Sequence, residues 1–144
     1  MATERHAEVS WQGSLTEGSG RIERVGTGAF GPLDVTWAAR AEEPEHLTSP
    51  EELIAAAHAA CFSMALSLEL AERGNAPERL ETRADVRFEP GTGITRIALA
   101  VRGRVPGLDE GGFRQAAEGA KRGCPVSQAL AGVPEITVEA TLES

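Results

Sequence analysis

Cysteine is scarce, with only Cys61 and Cys124 in 144 residues. Two are too few for a disulfide scaffold, and they do not form a Cys-x-x-Cys. In a reducing compartment they are expected either as two free thiols or as a working redox pair. Three histidines without paired Cys/His spacing argue against a structural zinc site. Positive charge is in deficit as well. The net charge of −8 argues against nucleic acid or an anionic membrane as main partner. No window holds the roughly 18 apolar residues of a membrane span, because His58, Ser63 and Ser67 interrupt the longest run. The first ten residues, MATERHAEVS, lack the apolar core of a signal peptide, so a cytoplasmic protein is expected. The sixteen glycines include one Gly-x-Gly-x-x-Gly, Gly26–Gly31, but it falls in a turn between two strands and not ahead of a helix, and there is no phosphate loop. No metal, flavin or nucleotide cofactor is called for. There is no internal repeat, low-complexity tract or long linker, and a single domain spanning 1–144 is expected.

What the chain does have is one long apolar stretch, Ser49 to Gly74. Ser49 can cap free N–H groups, Pro50 suits the first helical position, and Glu52 completes a Ser-x-x-Glu capping box. Gly74 supplies a left-handed stop. From Leu53 to Leu66 the helix is apolar nearly all round, so it is expected to be buried against other elements or another chain. Its alanines, 55–57, 59 and 60, allow close approach of neighbouring backbones.

Around this helix the pattern is mainly of strands. Ala7–Gln12, Gly20–Val25 and Leu33–Arg40 alternate and are joined by turns, which predicts an antiparallel meander. After the helix, Leu80–Phe88 and Ile94–Val101 flank the turn Pro90-Gly91-Thr92-Gly93. Leu108–Arg122 reads as a helix, Cys124–Leu130 as a second short one, and Glu135–Leu142 as a last strand. The order is β-β-β-α-β-β-α-α-β, an α+β chain with mainly antiparallel sheet.

The chemistry rests on the thiols. Cys124 lies between the stop Gly123 and Pro125, a residue favoured in the first turn of a helix. A thiol there faces unsatisfied N–H groups, and Lys121 and Arg122 add positive charge, so sequence physics favours Cys124 as the thiolate. Its alternative is an ordinary cap-region cysteine. Cys61 lies mid-helix among apolar residues, the usual setting of an inert core thiol. To ionise it needs a cation from elsewhere. His58, three residues earlier, is one candidate base, although a lone histidine among alanines is more often a hydrogen-bonded core residue. Arg40 is the natural cation, with Glu51 and Glu52 available to hold its guanidinium. Glu51 and Cys61 are ten residues apart, about 15 Å along a helix. One arginine bridging both within a single chain would be stretched, whereas one reaching across a subunit interface would not. An intimate homodimer with a shared site is the hypothesis this suggests.

Two segments, SPEELIAAAHAACFSMALSLEL from Ser49 and AKRGCPVSQAL from Ala120, resemble the osmotically inducible protein C/organic hydroperoxide resistance (OsmC/Ohr) family, and its OsmC branch in particular. The resemblance implies an OsmC-like fold, with antiparallel sheets around a long buried central helix, in an intertwined dimer whose active site lies at the subunit interface. It implies a thiol peroxidase in which Cys61 attacks the hydroperoxide and becomes a sulfenic acid. Cys124 then resolves it as a Cys61–Cys124 disulfide, which a dithiol, expected to be a dihydrolipoyl group, reduces. Arg40 and Glu51 match the assisting pair, with Arg21 and Arg24 as alternatives for the arginine. Organic hydroperoxides are the expected substrates, with Phe62, Met64, Leu66 and Trp37 as the apolar lining. His58 is then assigned to packing. Two other readings remain open: acyl transfer by a Cys61–His58 pair, which needs no Cys124, and a non-catalytic redox sensor or ligand-binding dimer.

Overall fold

The computed structural model describes residues 1–143 and divides into two compact units, Met1–Leu53 and the chain from Ile54 onward. In the first unit, strands β1 (Ala7–Gln12), β2 (Ser19–Val25) and β3 (Leu33–Val35) form an antiparallel sheet in that order. Val9 opposes Ile22 and Trp11 opposes Gly20, with a bulge between Glu8 and Val9. A Cβ on Gly20 would lie 2.5 Å from the Trp11 ring, so only glycine lets the indole rest on β2.

The third strand is shorter than its alternation predicts. It ends at Val35, and the Thr36 hydroxyl accepts from Ala39 N–H to cap a single-turn helix, α1 (Trp37–Ala41). Leu33, Val35 and Trp37 fit a strand period, but a capping threonine followed by Trp-Ala-Ala-Arg-Ala favours helix locally. The observed order therefore has one helix more than expected.

Helix α2 (Pro50–Glu72) begins as its sequence signals say: Ser49 Oγ accepts from Glu52 N–H at 3.1 Å. The capping box is only half closed, because the Glu52 carboxylate accepts from Thr48 Oγ1 instead. By length and composition alone α2 could cross a membrane, with a mean hydropathy of 1.6 over 18 residues, which corrects the expectation that no window would qualify. In the second unit this helix acts as a core element. Phe62, Leu66 and Leu70, one per turn, are fully buried with His58. The expectation of burial all round is not met within one chain. Ala56, Ala57, Ala60, Met64 and Leu68 form an exposed apolar stripe, with Met64 at 73% and Leu68 at 61% exposure.

Strands β4 (Arg79–Glu89) and β5 (Gly93–Arg104) make a long antiparallel hairpin, closed by Thr92 N–H to Glu89 O, with Gly91 and Gly93 at positive φ. Asp109 caps α3 (Glu110–Gly123), accepting from Gly112 N–H at 2.7 Å. After α4 (Pro125–Ala129) the last strand, β6 (Glu135–Leu142), joins β5 in parallel, the one departure from antiparallel pairing among the described residues. A parallel neighbour requires a crossover, and α3 with α4 supplies it. The core combines Phe62, Leu66 and Leu70 with Ile97, Leu99 and Val101 of β5 and with Phe113, Ala116, Ala117 and Ala120 of α3. Cys124 belongs to this core at 0% exposure.

Candidate active site

Two pairs of side chains emerge, one in each unit. In the second, the sulfurs of Cys61 and Cys124 lie 3.1 Å apart as free thiols in a hydrogen bond. Bonding them requires only a small approach, to about 2.05 Å. Cys61 is half-buried and Cys124 wholly buried behind it. The two residues lie 63 positions apart, and no local pattern brings them together.

Cys124 is held at both of its backbone groups. Its N–H donates to Ala120 O, ending α3, and its C=O accepts from Gln128 N–H, opening α4. Pro125 starts α4 without an N–H to satisfy. The next two amides, of Val126 and Ser127, face the sulfur. Both favour negative charge there. Burial pushes the Cys124 thiol up. The Cys61 thiol, the Ser127 amide and hydroxyl, and the Val126 amide outweigh it, so the net displacement is below the ordinary thiol range. Cys61 moves the other way, pushed up by burial and by its hydrogen bond to Cys124 against a smaller opposing effect of Val126 N–H. Within one chain these surroundings favour a thiolate at Cys124 over one at Cys61. Lys121, expected to assist, is engaged elsewhere: its Nζ donates to Ile136 O and faces Glu118.

In the first unit, Arg40 holds Glu51. Nε donates to Oε1 at 3.0 Å and to Oε2 at 3.2 Å, and Nη2 donates to Oε2 at 2.8 Å. Glu51 is 6% exposed, so its charge is shielded and requires this partner. The alternative arginines are bound otherwise, Arg21 to Asp34 and Arg24 to Glu8.

His58 is fully buried, and its Nε2 lies 2.6 Å from Ser127 Oγ. It is a hydrogen-bonded core residue, as the bland sequence reading held, and burial pushes its pKa down. Its partner Ser127, which also flanks Cys124, escaped the sequence reading; the only signal was a serine three residues after a cysteine that precedes proline. Of the expected apolar lining, Phe62 and Leu66 point into the core at 0% exposure, whereas Met64 lies on the exposed stripe. Among the described residues, no three His, Cys, Asp or Glu side chains gather into a metal-binding group.

A half-exposed thiol backed by a buried, charge-stabilised one is the arrangement of a two-cysteine redox protein. The chain belongs to the OsmC-like protein family, whose pattern matches residues 43–139. It is 42% identical to Peroxiredoxin OsmC of Escherichia coli (strain K12) over the whole of both chains. It is 30% identical to the organic hydroperoxide resistance protein of Xanthomonas axonopodis pv. citri (strain 306) over 63% of this chain and 65% of that one. The crystal structure of the organic hydroperoxide resistance protein OhrB of Bacillus subtilis matches with a TM-score of 0.64 at 25% identity, covering 96% of this chain and 98% of that one. These relatives support a peroxidase-type role.

Proposed function

We propose that the protein reduces organic hydroperoxides to alcohols at the Cys61–Cys124 pair, with a dithiol as electron donor. The 3.1 Å contact carries this reading, because only one of the two sulfurs is open to a substrate while the other stands ready behind it. Cys61 attacks as thiolate, passing its proton to Cys124 across the contact. The O–O bond breaks, Cys61 becomes a sulfenic acid, and the alkoxide leaves and is protonated. The Cys124 thiolate then attacks the Cys61 sulfur, and the departing hydroxide takes up a proton to leave as water. A dihydrolipoyl-type dithiol exchanges with the disulfide, becomes a cyclic disulfide itself, and returns both thiols. The names of the relatives support the substrate class.

The charge must shift from Cys124 to Cys61 for the first step, and a nearby guanidinium would shift it. Helix α2 is unbroken between Glu51 and Cys61, about 15 Å of axis. The pair Arg40–Glu51 is therefore assigned to Cys61 of a second copy, in a homodimer that covers the exposed stripe Ala57, Ala60, Met64 and Leu68. Complementation tests this. Mixed with Cys61→Ser chains, Arg40→Met chains should regain up to about a quarter of wild-type activity per total protein, since half of the dimers are mixed and each holds one intact site. Mixtures no more active than their parents would place both residues in one chain.

Turnover tests the activity itself. With excess dihydrolipoamide, cumene hydroperoxide should be consumed catalytically. A redox sensor would instead form one disulfide and stop.

A further inference from the structure

His58 and Ser127 are 69 residues apart and joined by a 2.6 Å hydrogen bond in a fully buried setting. Within the described residues the other imidazole nitrogen, Nδ1, has no partner. That asymmetry selects the tautomer. A proton on Nδ1 would be a buried donor with nothing to bond, which proteins rarely tolerate. With the proton on Nε2, His58 donates to Ser127 Oγ and Nδ1 keeps only a lone pair. Ser127 has a single hydroxyl proton. Because His58 supplies the other hydrogen of this bond, that proton is free to turn elsewhere. Ser127 sits in the first turn of α4, three residues after Cys124, where its amide and hydroxyl favour negative charge on the Cys124 sulfur.

We propose that His58 is a positioning residue for the buried thiol: its Nε2–H holds the Ser127 oxygen so that the hydroxyl proton is directed at Cys124 Sγ. The proposal rests on the reading of Cys124 as the resolving thiol, and deepens it. The donors of His58 and Ser127 then both run toward Cys124 Sγ, the sulfur that must be ionised in the second step. The titratable neighbours of Cys124 are few. Helix α2 presents Cys61 and, through Ser127, His58; Lys121 of α3 is engaged with Glu118 and Ile136 O, and Arg122 is exposed. The core residues of β5 that complete the packing are apolar. A neutral His58 suffices for this role, and burial keeps it neutral.

The test is the thiolate absorbance of the reduced protein at 240 nm as a function of pH, in wild type and in His58→Asn, His58→Gln, Ser127→Ala and His58→Asn/Ser127→Ala. Asparagine is too short to place its amide at the Nε2 position, whereas glutamine reaches it. His58→Asn should raise the first thiolate midpoint by about one pH unit, about tenfold less thiolate below the midpoint. Glutamine should restore the wild-type midpoint, a rescue that mere packing would not show. Ser127→Ala should raise the midpoint similarly, and adding His58→Asn should move it no further. His58→Met replaces His58→Asn should the latter not fold. An unmoved midpoint in the asparagine or methionine variant, or the same His58 shift with and without Ser127, would overturn the proposal. The disulfide formed after one equivalent of cumene hydroperoxide is followed alongside. If wild type forms none, the peroxidase reading fails while the titration still decides the role of His58.

Discussion

Cys61→Ser should lower dithiol-dependent hydroperoxide turnover to background, a loss on the order of a thousandfold or more, because the remaining thiol, Cys124, is wholly buried away from substrate. Cys124→Ser should fail differently. Its Cys61 still reacts once, so one equivalent of hydroperoxide per site is consumed in a burst, after which the sulfenic acid has no resolving partner. Under excess dithiol a slow residual turnover remains, as the external thiol attacks the sulfenic acid directly. The two variants share the lost 3.1 Å contact, so a common structural defect would make them fail alike. A burst in one and none in the other separates the roles. A Cys124→Ser variant with full steady-state turnover would show that Cys124 is not the resolving thiol.

Phe113→Ala should cost about 3–5 kcal/mol of folding stability, the range for truncating a wholly buried aromatic. Phe113 is 0% exposed and its ring lies against the β5 backbone, where a Cβ on Gly103 would come within 2.6 Å of Cζ. The ring ties α3 to the sheet, and the C-terminus of α3 carries Cys124. Loss of the ring should therefore also loosen the thiol pair and slow disulfide formation. Urea unfolding followed by circular dichroism measures the effect, with the midpoint falling and the slope unchanged. A loss under about 1 kcal/mol would mean that the contact between α3 and β5 is not central to this core.

How much of this was legible in the sequence depends on the range of the interaction. The start of α2, the stop at Gly74, the β4–β5 turn and the junction at Cys124 are set by neighbouring residues, and each lies where the caps and turn residues place it. The pairing of Arg40 with Glu51 was also readable, since eleven residues and a helix start limit where that carboxylate can find a cation. Leu33–Arg40 misled because Leu33, Val35 and Trp37 fit a strand while Thr36 caps a helix, and the cap prevailed. The parallel pairing of β6 leaves no local mark, because alternation reports a face and not a direction. The His58–Ser127 bond was equally silent. A serine in the first turn of a helix looks like a capping residue until the fold brings a histidine to it.

The measurement closest to the central claim gives reduced protein one equivalent of cumene hydroperoxide, quenches within milliseconds, and maps both cysteines by mass spectrometry. Wild type should show a Cys61–Cys124 disulfide, and Cys124→Ser a sulfenic acid on Cys61. A sulfenic acid on Cys124 in a Cys61→Ser chain, formed as fast as the wild-type disulfide, would reverse the roles. Two thiols that stay reduced while Cys61 remains alkylatable would contradict the account altogether.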